Sequence, residues 1–88
     1  MKQSPDFVVS DVAGKHLLMP VGRGFMNLDG MIALNDLGLT IWNYLAEERS
    51  YEELLQQILS EFDVSEEIAD RDAKAFLERL QSVKAIVD

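Results

Sequence analysis

The sequence predicts an α+β domain, a three-stranded antiparallel sheet followed by three helices, and three observations carry that expectation. Two β-rich runs meet at Ala13-Gly14. The hydrophobic period changes from strand to helix inside "DGMIALNDLGLTIWNYL", with only Leu34-Asn35 between the two patterns. Capping signals then open two further amphipathic stretches. Strands first and helices after place an antiparallel sheet under a helical layer.

The first two strands are expected at about 7–12 and 15–20, within "FVVSDVAGKHLLMPV". A Gly in the second central turn position supplies the positive φ that a tight connection needs, and Pro20, which has no N–H for a ladder, ends the second run. Next, "VGRGFMNLDG" has Gly22, Gly24 and Gly30 and reads as a loop anchored by Phe25, Met26 and Leu28. Asp29-Gly30 is a turn signal into a short third strand, 31–34.

The first helix is expected at about 36–46, with Leu37, Ile41, Trp42 and Leu45 on one stripe and Asn35 as N-cap. One residue thus ends a strand and caps a helix, which fixes the angle between them. The second helix, 51–62, opens with a capping box from Ser50 to Glu53 and buries Tyr51, Leu54, Leu55, Ile58, Leu59 and Phe62. The third, 66–83, starts after Asp63 or Ser65. Glu66 and Glu67 suit its positive end, and its stripe is Ala69, Ala73, Phe76, Leu77, Leu80 and Val83.

No repeat or linker divides residues 1–88, so the chain reads as one domain. It has 88 residues, 48% of them hydrophobic and 27% charged, which is a globular composition with a modest core. There is no Cys, which rules out disulfides and thiolate metal sites. The opening "MKQSPDFVVS" has no apolar run behind a basic segment, and no stretch approaches the ~18 apolar residues of a membrane helix. These features predict a cytoplasmic protein with no membrane partner.

The formal charge is −8 and sits in the second half: residues 1–34 carry three basic and three acidic groups, residues 35–88 five and thirteen. Such a surface repels phosphate backbones and counts against nucleic acid as a partner. It also suits a partner with basic patches.

The inventory is poor in catalytic chemistry. His16 is the only histidine and reads as an ordinary strand residue, and no Ser stands in a nucleophile elbow. "GRGFMN" has Asn27 where a dinucleotide fingerprint needs its third Gly, and it precedes a short strand. The pairs Glu47-Glu48, Glu52-Glu53 and Glu66-Glu67 lack the alternating oxygens of a calcium loop. No catalytic residue, metal or cofactor is expected.

Two features have binding potential. With Phe76 at zero on a helix of about 100° per residue, Asp72 lies near −40° and Arg79 near −60°, with Ile68 and Ala75 on the same flank. That pair either snorkels at a rim or borders a groove. Spacings of i, i+4 link Glu67 with Arg71, Asp70 with Lys74 and Lys74 with Glu78, which need no role beyond helix support. The other feature is the third strand: Met31, Ile32, Ala33 and Leu34 carry no charge or Pro to discourage an added strand. That edge is either open or covered by the Gly-rich loop.

Over residues 7–87 the sequence resembles the PqqD family, small proteins of pyrroloquinoline quinone biosynthesis whose domain is also called the RiPP recognition element. The resemblance rests on "LN" at Leu34-Asn35 before a helix, Gly38 and Ile41-Trp42 after it, "EFDV" from Glu61 to Val64, "DAKAFLERL" from Asp72 to Leu80, and an apolar tail. One departure is Ala85, where the family usually has a Gly before its final apolar pair.

The resemblance implies a winged-helix-like fold and a non-catalytic role. The domain would bind the leader segment of a ribosomally made precursor peptide and present it to a modifying enzyme, often a radical SAM protein. The leader would add to the third strand, pairing with Met31, Ile32 and Ala33, and lie in a groove lined by Ile68, Asp72, Ala75 and Arg79. The product is not fixed as pyrroloquinoline quinone, because the domain serves many peptide pathways.

Two rivals remain. One is a regulatory or structural subunit that uses the same edge to form a homodimer. The other is a DNA-binding winged helix, disfavoured because its candidate recognition helix sets Arg71, Lys74 and Arg79 against Glu66, Glu67, Asp70, Asp72 and Glu78.

Overall fold

The computed structural model of the chain describes residues 1–21 and 31–87. The expected loop after Val21, with Phe25, Met26, Leu28, the Asp29-Gly30 turn and all of "GRGFMN", lies outside the described residues. The elements are β1 (Lys2–Gln3), β2 (Phe7–Val12), β3 (Lys15–Pro20), β4 (Ile32–Leu34), α1 (Asp36–Tyr44), α2 (Tyr51–Glu61), α3 (Glu66–Ser82) and β5 (Ile86–Val87). The three expected strands are β2, β3 and β4, antiparallel in that order, and the three helices follow, so the α+β architecture is as the sequence implied.

The β2–β3 hairpin closes with Val12 opposite Lys15. Both central residues of its turn have positive φ, 53° at Ala13 and 79° at Gly14, as a type I′ turn requires. Gly14 takes this conformation freely, whereas Ala13 bears the cost of a Cβ in the left-handed region. The inner face of the sheet sends Leu18, Ile32 and Leu34 into the core.

The junction between β4 and α1 is as tight as the sequence suggested. Asn35 is extended (φ −84°, ψ −175°), its Oδ1 accepts the Gly38 amide at 2.8 Å, and its carbonyl accepts the Leu39 amide at 2.9 Å. Ser50 and Glu53 form both halves of the capping box. Ser65, not Asp63, caps α3, with its hydroxyl accepting the Ile68 amide at 3.2 Å.

Two elements have no counterpart in the sequence reading. β1 and β5 form a second, two-stranded antiparallel sheet, Lys2 opposite Val87 and Gln3 opposite Ile86. The same segment ends α1 two residues earlier than its apolar stripe indicated. Gln3 donates its amide to the Leu45 carbonyl and its side-chain Nε2 to the Trp42 carbonyl, both at 2.8 Å. These carbonyls lie at the end of the helix, where the Trp42 carbonyl otherwise accepts only the Leu45 cap amide at 3.2 Å. The Ser4 amide then reaches the Ala85 carbonyl at 2.7 Å.

The other helices end one residue before expectation. At α2, Phe62 turns extended (φ −121°, ψ 139°) while its amide still bonds to Ile58. At α3, Lys84 takes φ 62°, with its amide on the Gln81 carbonyl at 3.0 Å and the Ala85 amide on Leu80 at 2.8 Å. That pair of bonds is a Schellman ending. The left-handed position, which favours Gly, is therefore Lys84, and Ala85 is a fully buried core residue.

Candidate functional site

β4 is an edge of its sheet, and the register fixes which of its groups are open. A two-residue hairpin makes the Val12–Lys15 pair a hydrogen-bonded one, so along β3 the residues Lys15 and Leu17 bond to β2 while His16 and Leu18 bond to β4. In β4 their partners are Leu34 and Ile32. Ala33, opposite Leu17, therefore turns its N–H and C=O away from the sheet, and its side chain is exposed while those of Ile32 and Leu34 are buried. A free donor and acceptor on one residue form the smallest unit that an extended peptide can pair with.

Beside this edge lies a cavity of about 470 Å³. Its walls are residues 33–36 at the β4–α1 junction, Phe76 and Arg79 of α3, and residues 14–16 of the hairpin. The Phe76 ring reaches it because α1 has a Gly where the two helices meet. A Cβ on Gly38 would stand 3.1 Å from Phe76 Cε1 and 3.2 Å from Cζ. On the hairpin side, His16 Nδ1 lies 2.5 Å from Asp11 Oδ1, in a pair whose side chains face each other across the strands.

Of the residues singled out from sequence, Ala33 and Arg79 meet in this cavity. The Ile32 side chain is 3% exposed and belongs to the core, and its position opposite Leu18 commits its backbone to β3. Met31 is half-buried just before β4. Ile68, Asp72 and Ala75 lie outside the cavity wall, on the turns of α3 that run towards its N-terminus. Ile68 is 42% exposed, and Asp72 Oδ1 takes Arg71 Nε at 3.3 Å. Phe76 was read as a core position, yet it is half-buried, packing on the core with one part and lining the cavity with another. The missed signal was its pairing with Gly38 in the first turn of α1, where a Cβ would meet the ring.

The other end of α3 is tied to α2. Tyr51 donates its hydroxyl to Asp70 Oδ1 at 2.5 Å, and Lys74 Nζ lies 3.3 Å from Asp70 Oδ2 and over the Tyr51 ring. Burial, reinforced by Asp70, pushes the Tyr51 phenol up to about 12. The Tyr51 hydrogen bond, with Lys74, holds the Asp70 carboxyl below its ordinary value. These contacts fix the orientation of α3, and hence the placement of Phe76 and Arg79 beside β4.

The sequence profile of the family described as "Coenzyme PQQ synthesis protein D (PqqD)" matches residues 16–86. The chain belongs to the PqqD family. Among solved structures it is similar to TbiB1 in complex with the TbiA(beta) leader peptide, with a TM-score of 0.74 and 25% sequence identity over 100% of both chains. Among curated proteins, none matches. The PqqD match takes in β4, all three helices and the whole cavity wall except residues 14 and 15. Among the described residues, no helix is long and apolar enough to cross a membrane.

Proposed function

We propose that this PqqD-family protein is a non-catalytic, cytoplasmic peptide chaperone. It captures the leader segment of a ribosomally synthesised precursor as an added strand on β4 and presents it to a modifying enzyme of the radical SAM type. The observation that carries this reading is the open backbone of Ala33 beside the α3 cavity, because strand addition needs unpaired main-chain groups and adjoining side-chain space. The similarity to TbiB1, itself solved with a leader peptide, supports it.

In this reading the leader pairs along residues 31–33, with Ala33 supplying the central pair of bonds and Met31 the next open position. The groove starts at Phe76 and Arg79 and continues past Ala75, Asp72 and Ile68 along the α3 flank. Catalysis is aided by tethering alone. A held leader keeps the core peptide near the enzyme at an effective concentration of about a millimolar, the scale of short flexible tethers.

Ala33→Pro is the variant that tests this. Proline removes the outward N–H without touching the β3 ladder, and edge strands tolerate it. With a synthetic leader from a short precursor gene encoded nearby, the variant should keep the wild-type circular dichroism and bind at least about tenfold more weakly. Unchanged affinity in the folded variant contradicts strand addition at β4.

A further inference from the structure

The cavity beside β4 differs in charge from the rest of the molecule. The chain has 16 acidic and 8 basic side chains. The cavity between α2 and α3 follows that balance, with Glu52, Glu66, Glu67 and Asp70 in its wall. The cavity beside β4 instead presents Arg79 from α3 and Lys15 from the hairpin. Neither has a carboxylate within ion-pair distance among the described residues, whereas Arg49, Arg71 and Lys74 each do. The one carboxylate in the wall, Asp36, stands in the first turn of α1, where the positive end of the helix offsets it.

Strand geometry says which ligand side chains meet these groups. A peptide residue paired opposite Ala33 sends its side chain to the exposed face, as Ala33 does. Its two neighbours lie opposite Ile32 and Leu34 and point to the inner side, towards α3. They are about 6.7 Å apart along the strand. Phe76 and Arg79, three apart on a helix, are neighbours at about 5–6 Å between Cβ atoms.

We propose that the cleft selects leader strands in which a carboxylate side chain lies two residues from an apolar one, Arg79 taking the carboxylate and the Phe76 ring the apolar group. This rests on the strand-capture reading above and adds to it the chemistry of the ligand. Arg79 and Phe76 are then specificity-determining residues.

The test is selection from phage-displayed random dodecapeptides on the full-length wild-type protein and on Arg79→Glu, an exposed position where the fold is retained. The expected wild-type consensus places Asp or Glu two positions from Leu, Ile or Phe, and Arg79→Glu exchanges the acid for Lys or Arg. The wild-type consensus peptide should bind Arg79→Glu about tenfold or more weakly, with a flatter salt dependence. Two outcomes overturn the proposal alone: a consensus without an acid, or the same acidic consensus on both proteins, while the Ala33 amide still slows in exchange on binding. Peptides that leave the Ala33 amide unchanged, or no selected peptide at all, overturn strand capture and this proposal with it.

Discussion

The Phe76 ring lies against the backbone of Gly38, so close that a methyl group on Gly38 would meet it at 3.1 Å. This contact joins the helix that starts at the β4 edge to the helix that walls the cavity. A Gly within a helix costs up to about 0.5–1 kcal/mol relative to Ala, and Gly38 is in the first turn of α1. Here the cost buys the approach of an aromatic ring.

A double-mutant cycle isolates that contact. In a Phe76→Ala background, Gly38→Ala should stabilise the protein by up to about 0.5–1 kcal/mol, short of the full helix gain because the methyl still meets Asn35 Oδ1 at 3.3 Å. In the wild-type background the same change should give no gain or a loss, since the ring must move by a few tenths of an ångström. Urea denaturation of the four proteins reads this out. Equal effects in both backgrounds contradict the account.

The Ala13-Gly14 turn should be improvable. Ala13 has φ 53°, a conformation that Asn adopts at lower cost, and Asn-Gly is the preferred pair for this turn. Ala13→Asn is expected to raise stability by about 0.5–1 kcal/mol, visible as a higher denaturation midpoint with an unchanged slope.

Lys84 offers a parallel gain at the end of α3. Its φ of 62° sits at the left-handed position of the Schellman ending, and its side chain is exposed. Lys84→Gly should stabilise by about 0.5–1 kcal/mol. Ala85→Gly should destabilise, because the Ala85 methyl is fully buried.

Stability should vary with pH through Tyr51 and Asp70. The protonated phenol is the bonded form, so its contribution is whole below pH 10.0 and is lost as pH rises towards about 12. For Asp70 the ionised form is favoured, so its contribution is present above its ordinary value of 3.8 and is lost as pH falls below it. Tyr51→Phe should remove the alkaline loss and weaken the acid one. Denaturant midpoints across the two pH ranges check both arms.

How much of this was legible in the sequence depends on how far each feature is local. Asn35, Ser50 and Ser65 act on amides three residues ahead, so the caps of α1 and α2 could be read directly and that of α3 narrowed to Asp63 or Ser65. The alternation that buries Ile32 and Leu34 and exposes Ala33 is equally local. β1 and β5 are two residues each and pair across the whole chain, so neither has a period to detect. The earlier end of α1 follows from Gln3, 39 residues away from Trp42. Of the i, i+4 pairs, Asp70–Lys74 closes at 3.3 Å, but Arg71 turns to its neighbour Asp72 instead of Glu67. In the site, the helical angles found the flank that bears Arg79 but placed Phe76 wholly in the core. Only the missing Cβ of Gly38 across the helix contact reveals why that ring lies partly in the cavity.

The central claim is that a leader peptide pairs with the open backbone of Ala33, and amide hydrogen exchange resolved by residue tests it most directly. On adding the synthetic leader of a neighbouring precursor gene, the Ala33 amide should slow by about tenfold or more, while Ile32, already paired with β3, changes little. Slowing confined to α1 and α2, with Ala33 exchanging as fast as before, would contradict it.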